Sequence, residues 1–161
     1  MGEGNMEYTV RKARVTDAGQ IYALLRELSQ EGLLLPRSYL NIYEMLQTFY
    51  VAEASDKGEE GILGAAALQV AWEDLAEVRS LAVRTRFRGH GIGRALTLAV
   101  ERDAGGLLIK RMFALTFVPG FFTKLGYKVV PLESLPQKIW TACFNCVHYP
   151  DCKEIAVEKP L

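Results

Sequence analysis

Arg88-Gly-His-Gly-Ile-Gly-Arg94 stands between the apolar runs "VRSLAVRTRF" and "ALTLAVERD". The first run reads as a strand. The second carries Ile92, Ala95, Leu96, Ala99 and Val100 on one face, the spacing of an amphipathic helix. Three glycines therefore occupy the turn from strand to helix. A helix start leaves backbone N–H groups unpaired and carries partial positive charge. Gly89, Gly91 and Gly93 let a large anion approach that backbone closely and permit unusual dihedrals, and Arg86, Arg88 and Arg94 add charge around it. A diphosphate fits such a loop, and tight helix packing is the plainer use of the glycines. The P-loop pattern G-x-x-x-x-G-K-[ST] is absent. A dinucleotide-binding turn would follow the first strand, and this loop lies mid-chain.

The rest of the chain frames the loop as part of one mixed α/β domain. Its 161 residues suffice for a full core, and 50% hydrophobic with 24% charged residues is ordinary globular composition. Nineteen basic residues balance nineteen acidic ones. Zero net charge argues against a nucleic-acid binder held by bulk electrostatics, so any anion site must be local. No run reaches a membrane span, the N-terminus lacks a secretory h-region, and Met6 breaks the myristoylation pattern after Gly2. A cytoplasmic location is expected.

Glu7 to Ala13 reads as a first strand. "TDAGQIYALLRELSQEG" reads as a helix through Ile21, Leu24, Leu25 and Leu28, with Thr16 or Asp17 as cap and Gly32 as stop. Pro36 breaks the next segment, so a short helix is expected from about Ser38. "TFYVAEA" and "GILGAAALQVAW" read as strands joined by "SDKGEE"; the second is apolar on both faces, as in a central strand. "LAEVRSLAV", "RMFALTF", "GYKVV" and "EIAVEK" are further strands, and "GFFTKL" is a short helix.

These residues carry a resemblance. Arg88-x-x-Gly91-x-Gly93 matches the [Q/R]-x-x-G-x-[G/A] signature of the GNAT acetyltransferase superfamily. "GFFTKLGYKVV" resembles that family's FY-x-K-x-GF segment, and "TDAGQIYALL" resembles its first helix. The likeness runs in order over most of the chain. It implies a single N-acetyltransferase domain over residues 1–161, with a cysteine-bearing segment from about residue 134. It also implies a central, mixed, mostly antiparallel sheet, splayed between two strands and flanked by helices, with acetyl-CoA inserted in the splay. In the family's scheme, the backbone of Leu81, Ala82 and Val83 pairs with the pantetheine arm. The amides of Arg88, Gly89, His90, Gly91, Ile92, Gly93 and Arg94 bind the pyrophosphate. Phe122 stands where many members have a tyrosine that protonates the leaving thiolate, so that acid role is unassigned here.

The acceptor side is read from three stretches. Glu77 and Arg79 lie two apart on a strand and share a face. An ion pair on a solvated edge is the plain reading. Lining a cleft, Glu77 would serve as a general base and Arg79 would clasp a carboxylate. Arg37 follows Pro36, where a surface salt bridge is the plain reading, but the segment also walls the acceptor site in this superfamily. "GLLLPRS", "EVRSLAV" and "LPQKIWTACFNC…PDC" together resemble the short single-domain N-acetylglutamate synthases. That implies L-glutamate as acceptor and places Arg37, Arg79 and Ser80 around it, a role in arginine biosynthesis, and compatibility with a homodimer. N-acetylation of another small amine, and a non-catalytic acetyl-CoA-binding module, are the competing readings. Finally, Cys143, Cys146, His148 and Cys152 crowd into ten residues. They supply four possible ligands for a structural zinc. Reduced core cysteines and a redox pair stay open beside that.

Overall fold

A computed structural model describes residues 7–54, 61–136 and 154–161. These residues form seven strands and four helices. The strands are β1 (Tyr8–Lys12), β2 (Phe49–Ala54), β3 (Ile62–Trp72), β4 (Leu75–Val83), β5 (Arg111–Thr116), β6 (Lys128–Val130) and β7 (Ile155–Pro160). The helices are α1 (Ala18–Gln30), α2 (Tyr39–Glu44), α3 (Ile92–Gly106) and α4 (Pro119–Thr123). The sheet is open, mostly antiparallel and flanked by helices, in the order β1-β2-β3-β4-β5-β7-β6. The parallel β4–β5 ladder is short, pairing Leu75, Ala76 and Glu77 with Arg111, Met112 and Phe113. This is the mixed sheet expected from the sequence.

The chain divides into two compact units, Met1–Leu68 with Val78–Asp103, and Gln69–Glu77 with Ala104–Leu161. In the first, Ile21, Leu24, Leu25 and Leu28 form the buried stripe of α1. They pack with Phe49 and Val51 of β2, Ala65 and Ala67 of β3, and Ala82 of β4. Gly64 of β3 lies against Ile92 and Leu96 of α3. With a period of two, β3 thus serves α1 and α3 from opposite faces, which explains its unbroken apolar run. Gly32 ends α1 as expected, in the left-handed conformation at φ +75°. Ser38 starts α2, its hydroxyl accepting from the Asn41 amide at 3.0 Å.

Asp17 departs from the sequence reading. It precedes α1, but its own backbone is helical and its carboxylate does not cap that helix. The carboxylate is buried and accepts two hydrogen bonds from the Arg11 guanidinium, at 2.7 and 3.0 Å, and a third from the Arg14 amide at 2.7 Å. Arg11 also donates to Glu53 at 2.8 Å. The hydrogen bonds from Arg11 hold the Asp17 carboxyl below the usual range, against the opposing pull of burial.

In the second unit, Leu75, Phe113, Leu135 and Ala156 form the core, with Ala71, Leu115, Val130 and Leu132 against it. β5 and β6 both pair antiparallel with β7. Arg111 holds the end of β5, pairing with Glu158 of β7 and, at 3.4 Å, with Asp74. Gly126, at φ +95°, makes the turn from α4 into β6.

Candidate active site

The glycine loop begins where β4 leaves the sheet. The Arg84 amide donates to the Leu63 carbonyl at 2.9 Å, and its guanidinium donates to the Ile62 carbonyl at 3.0 Å. The Ile62 amide in turn donates to the side chain of Gln20 on α1 at 3.0 Å. One turn of 3-10 helix, Thr85–Phe87, follows and buries Phe87, with the Arg86 guanidinium 4.8 Å from its ring centre. Arg88, Gly89, His90 and Gly91 are then exposed, and α3 starts at Ile92.

Two of the three glycines have the backbone expected of them. Gly89 and Gly91 are left-handed, at φ +85° and +78°. No atom comes within 4 Å of a β-carbon built on Gly89, and only the Tyr8 hydroxyl, at 3.8 Å, does so for Gly91. The peptide surface is open on that side. Gly93 is different: it lies within the first turn of α3, where no left-handed dihedral is needed. Its carbonyl accepts from the buried Thr97 hydroxyl at 2.8 Å. Fifteen residues of α3 point their amide end at this loop, and Arg88 and Arg94 stay exposed beside it. The arrangement can seat a diphosphate on backbone N–H groups. Gly91→Val should keep the fold and weaken acetyl-CoA binding about tenfold or more, because a β-branched residue resists φ > 0. Calorimetry on the variant measures this.

A glycine outside the motif fixes the loop. A β-carbon on Gly64 would stand 2.8 Å from the Ala82 carbonyl, 3.0 Å from Leu96 and 3.2 Å from Ile92. The nearest atom is backbone and cannot swing aside. Gly64 is therefore the close approach that lets the start of α3 settle on β3 and β4. Gly64→Val should lower stability by about 1–3 kcal/mol, read as an earlier urea midpoint. It should also reduce acetyl-CoA affinity in whatever fraction remains folded.

β4 carries the acceptor-side residues. Burial alternates through Ala76, Glu77, Val78 and Arg79, with Ala76 and Val78 buried and the two charged residues half-buried. Glu77 and Arg79 thus share the less buried face, as expected. The alternation breaks at Ser80, which is left-handed at φ +55° and half-buried beside half-buried Leu81. Sequence patterning gave no sign of this, since serine rarely adopts that backbone. Arg37 reaches the same point. Its Nε donates to the Ser80 hydroxyl at 3.2 Å, and its Nη1 donates to the Asn41 side-chain oxygen at 3.2 Å. Two residues placed in the acceptor site by sequence, Arg37 and Ser80, are therefore in contact, and Asn41 joins them. Leu81, Ala82 and Val83 complete β4, with Ala82 buried.

Phe122 is buried, edge-to-face with Tyr127 at 5.2 Å between ring centres. Tyr127 is itself buried. A cavity of about 480 Å³ lies along α1, lined by Tyr22, Ala23, Arg26, Glu27 and Gln30; none of these belongs to the candidate site. Cys143, Cys146, His148 and Cys152 lie outside the described residues. Among the described residues no group of His, Cys, Asp and Glu could hold a metal, and no helix is long and apolar enough to cross a membrane.

A mixed open sheet with a left-handed glycine loop opening α3 is the arrangement of an acyl-CoA-dependent transferase. Residues 46–129 match the family model of the acetyltransferase (GNAT) domain, and the chain belongs to that family of N-acetyltransferases. It is 41% identical to an uncharacterized N-acetyltransferase of Chlorobaculum tepidum, over 94% of this chain and 96% of that one. It is 37% identical to an amino-acid acetyltransferase of Mycobacterium tuberculosis, over 73% of this chain and 67% of the relative. The fold superposes on N-acetylglutamate synthase from Neisseria gonorrhoeae, solved with coenzyme A and N-acetyl-glutamate, with a TM-score of 0.85 and 26% identity. That match covers 96% of this chain but 35% of the synthase, so the chain spans about a third of its length.

Proposed function

We propose that residues 1–161 act as one domain that acetylates the α-amine of L-glutamate from acetyl-CoA by direct transfer, the first step of arginine biosynthesis. The observation that carries this reading is the Arg37–Ser80 contact, which brings a guanidinium from the α2 segment onto β4 at its left-handed residue. Likeness to the amino-acid acetyltransferases supports it.

In this scheme the amides of Arg88 to Arg94 seat the pyrophosphate. The backbone of Leu81 to Val83 pairs with the pantetheine arm and polarises the thioester carbonyl. Arg37 and Arg79 take the acceptor's carboxylates, with Ser80 beside them. Glu77, directly or through water, removes a proton from the ammonium group. The free amine then attacks the thioester carbon, the attacking nitrogen gives up its second proton to solvent, and the tetrahedral intermediate collapses as the C–S bond breaks to release CoA thiolate. Phe122 has no proton to give, so the thiolate takes its proton from solvent.

Thiol release from acetyl-CoA against a panel of free amino acids and polyamines tests the reading. Turnover with L-glutamate is expected. Turnover with polyamines alone would overturn the acceptor assignment. Arg79→Ala should cut kcat/KM for glutamate roughly ten- to a hundredfold, the worth of one charged hydrogen bond to a carboxylate, with acetyl-CoA binding retained. Steady-state kinetics with each substrate varied in turn separates the two effects.

A further inference from the structure

Arg37, just before α2, gives hydrogen bonds to two neutral groups, one on α2 and one on β4. Ser38 caps the helix by accepting from the Asn41 amide at 3.0 Å, which fixes the Asn41 backbone one turn from Arg37. The Asn41 side-chain oxygen then accepts from Arg37 Nη1, while Ser80 accepts from Nε, each at 3.2 Å. Two bonds on different nitrogens define the plane of a rigid, planar guanidinium. Both acceptors are neutral, so they orient the fork without adding negative charge of their own. An aspartate at position 41 would orient it too, but would compete with an anionic ligand for the same charge.

From this geometry we infer that Asn41 is a positioning residue for acceptor recognition: it holds Arg37 in the orientation that receives an acceptor carboxylate. The inference rests on Arg37 being an acceptor-binding residue, as in the function proposed above. Asn41 itself need touch neither substrate nor thioester. Its contribution is pre-organisation, since an arginine already held in place loses less rotamer freedom when its ligand arrives.

Asn41→Ala keeps the helix cap, because the cap uses the residue's backbone amide. In this variant KM for L-glutamate is expected to rise about tenfold, the scale of one hydrogen bond to a charged group. The values of kcat and KM for acetyl-CoA should stay within about twofold, as for lost ground-state binding. Asn41→Asp should raise KM for glutamate further, and Asn41→Gln, which keeps an amide acceptor, should recover part of the loss. A second readout needs no acceptor. In the ¹⁵N spectrum, the Arg37 Nη–H resonances should be resolved and protected from solvent exchange in the wild type, where Nη1 donates to Asn41, and averaged in Asn41→Ala. An unchanged glutamate KM, or an unchanged Arg37 resonance, in folded Asn41→Ala would overturn the inference. Failure of the wild type to use glutamate would overturn the proposed function instead, and the resonance would still decide the role of Asn41.

Discussion

Glu77→Gln should lower kcat for L-glutamate by about 10²–10⁴-fold, the usual worth of general-base help, with acetyl-CoA affinity nearly unchanged. The glutamine keeps the side chain's shape but cannot take a proton. Glu77 is half-buried, the last β4 residue of the parallel ladder, opposite Phe113. Backbone pairing there holds its position through the substitution. The α-ammonium of an amino acid is mostly protonated at neutral pH, so a missing base acts directly on the reactive fraction. The variant should therefore recover much of its rate at high pH, where the amine deprotonates unaided. A purely electrostatic role, steadying Arg79, makes another forecast: KM for glutamate rises and kcat is spared at every pH. Wild-type kcat at neutral pH in Glu77→Gln would exclude the base role.

The largest effect on stability is expected from the pair between half-buried Arg11 of β1 and buried Asp17 at the entry to α1. Arg11→Met removes both hydrogen bonds that Arg11 gives to Asp17 and leaves a buried carboxylate with only the Arg14 amide. Breaking a fully buried pair from one side costs about 3–5 kcal/mol, and with Asp17 buried and Arg11 half-buried the loss should reach at most that range. Urea unfolding should show the loss near neutral pH. Acid should reveal the same pair in the wild type. The folded carboxyl of Asp17 titrates below its unfolded counterpart, whose pKa is about 3.9. Its stabilisation is thus complete above that range and disappears as pH falls through the folded value. The wild type should lose stability on acidification below about pH 4, and Arg11→Met should lose much less over the same interval. Equal acid sensitivity in the two proteins would refute this account of the pair.

What could be read in the sequence was what has a period or a required backbone. The stripe of α1, the two-faced apolar run of β3, the Ser38 start of α2, and the left-handed Gly89 and Gly91 each leave a local signature. What could not be read depends on partners far along the chain. Asp17 looked like a cap because a carboxylate before an apolar-periodic run usually is one; its partner Arg11 becomes visible only once β1 is folded beside it. Gly64 looked like any small residue in an alanine-rich strand until α3 was laid across it. Ser80 breaks the alternation of β4 without a glycine to announce it, and Asn41 acquires a role only through Arg37. In the glycine motif itself, Gly93 lies in the first turn of α3 and, unlike Gly89 and Gly91, is not left-handed.

The fastening of the loop by Gly64, Arg84 and Gln20 divides the molecule's freedom to change. None of those three contacts uses a side chain between Thr85 and Gly91, and Arg88 and His90 project from a loop held by its neighbours. Arg37, the arginine proposed to bind the acceptor, by contrast precedes a six-residue helix that Ser38 caps, and it donates to Asn41 on that helix. Under the proposed function, a descendant could therefore exchange the segment around α2, and with it the choice of amine, while inheriting the glycine loop intact. Grafting residues 33–44 from a relative of different appetite is the shortest route to a retargeted catalyst.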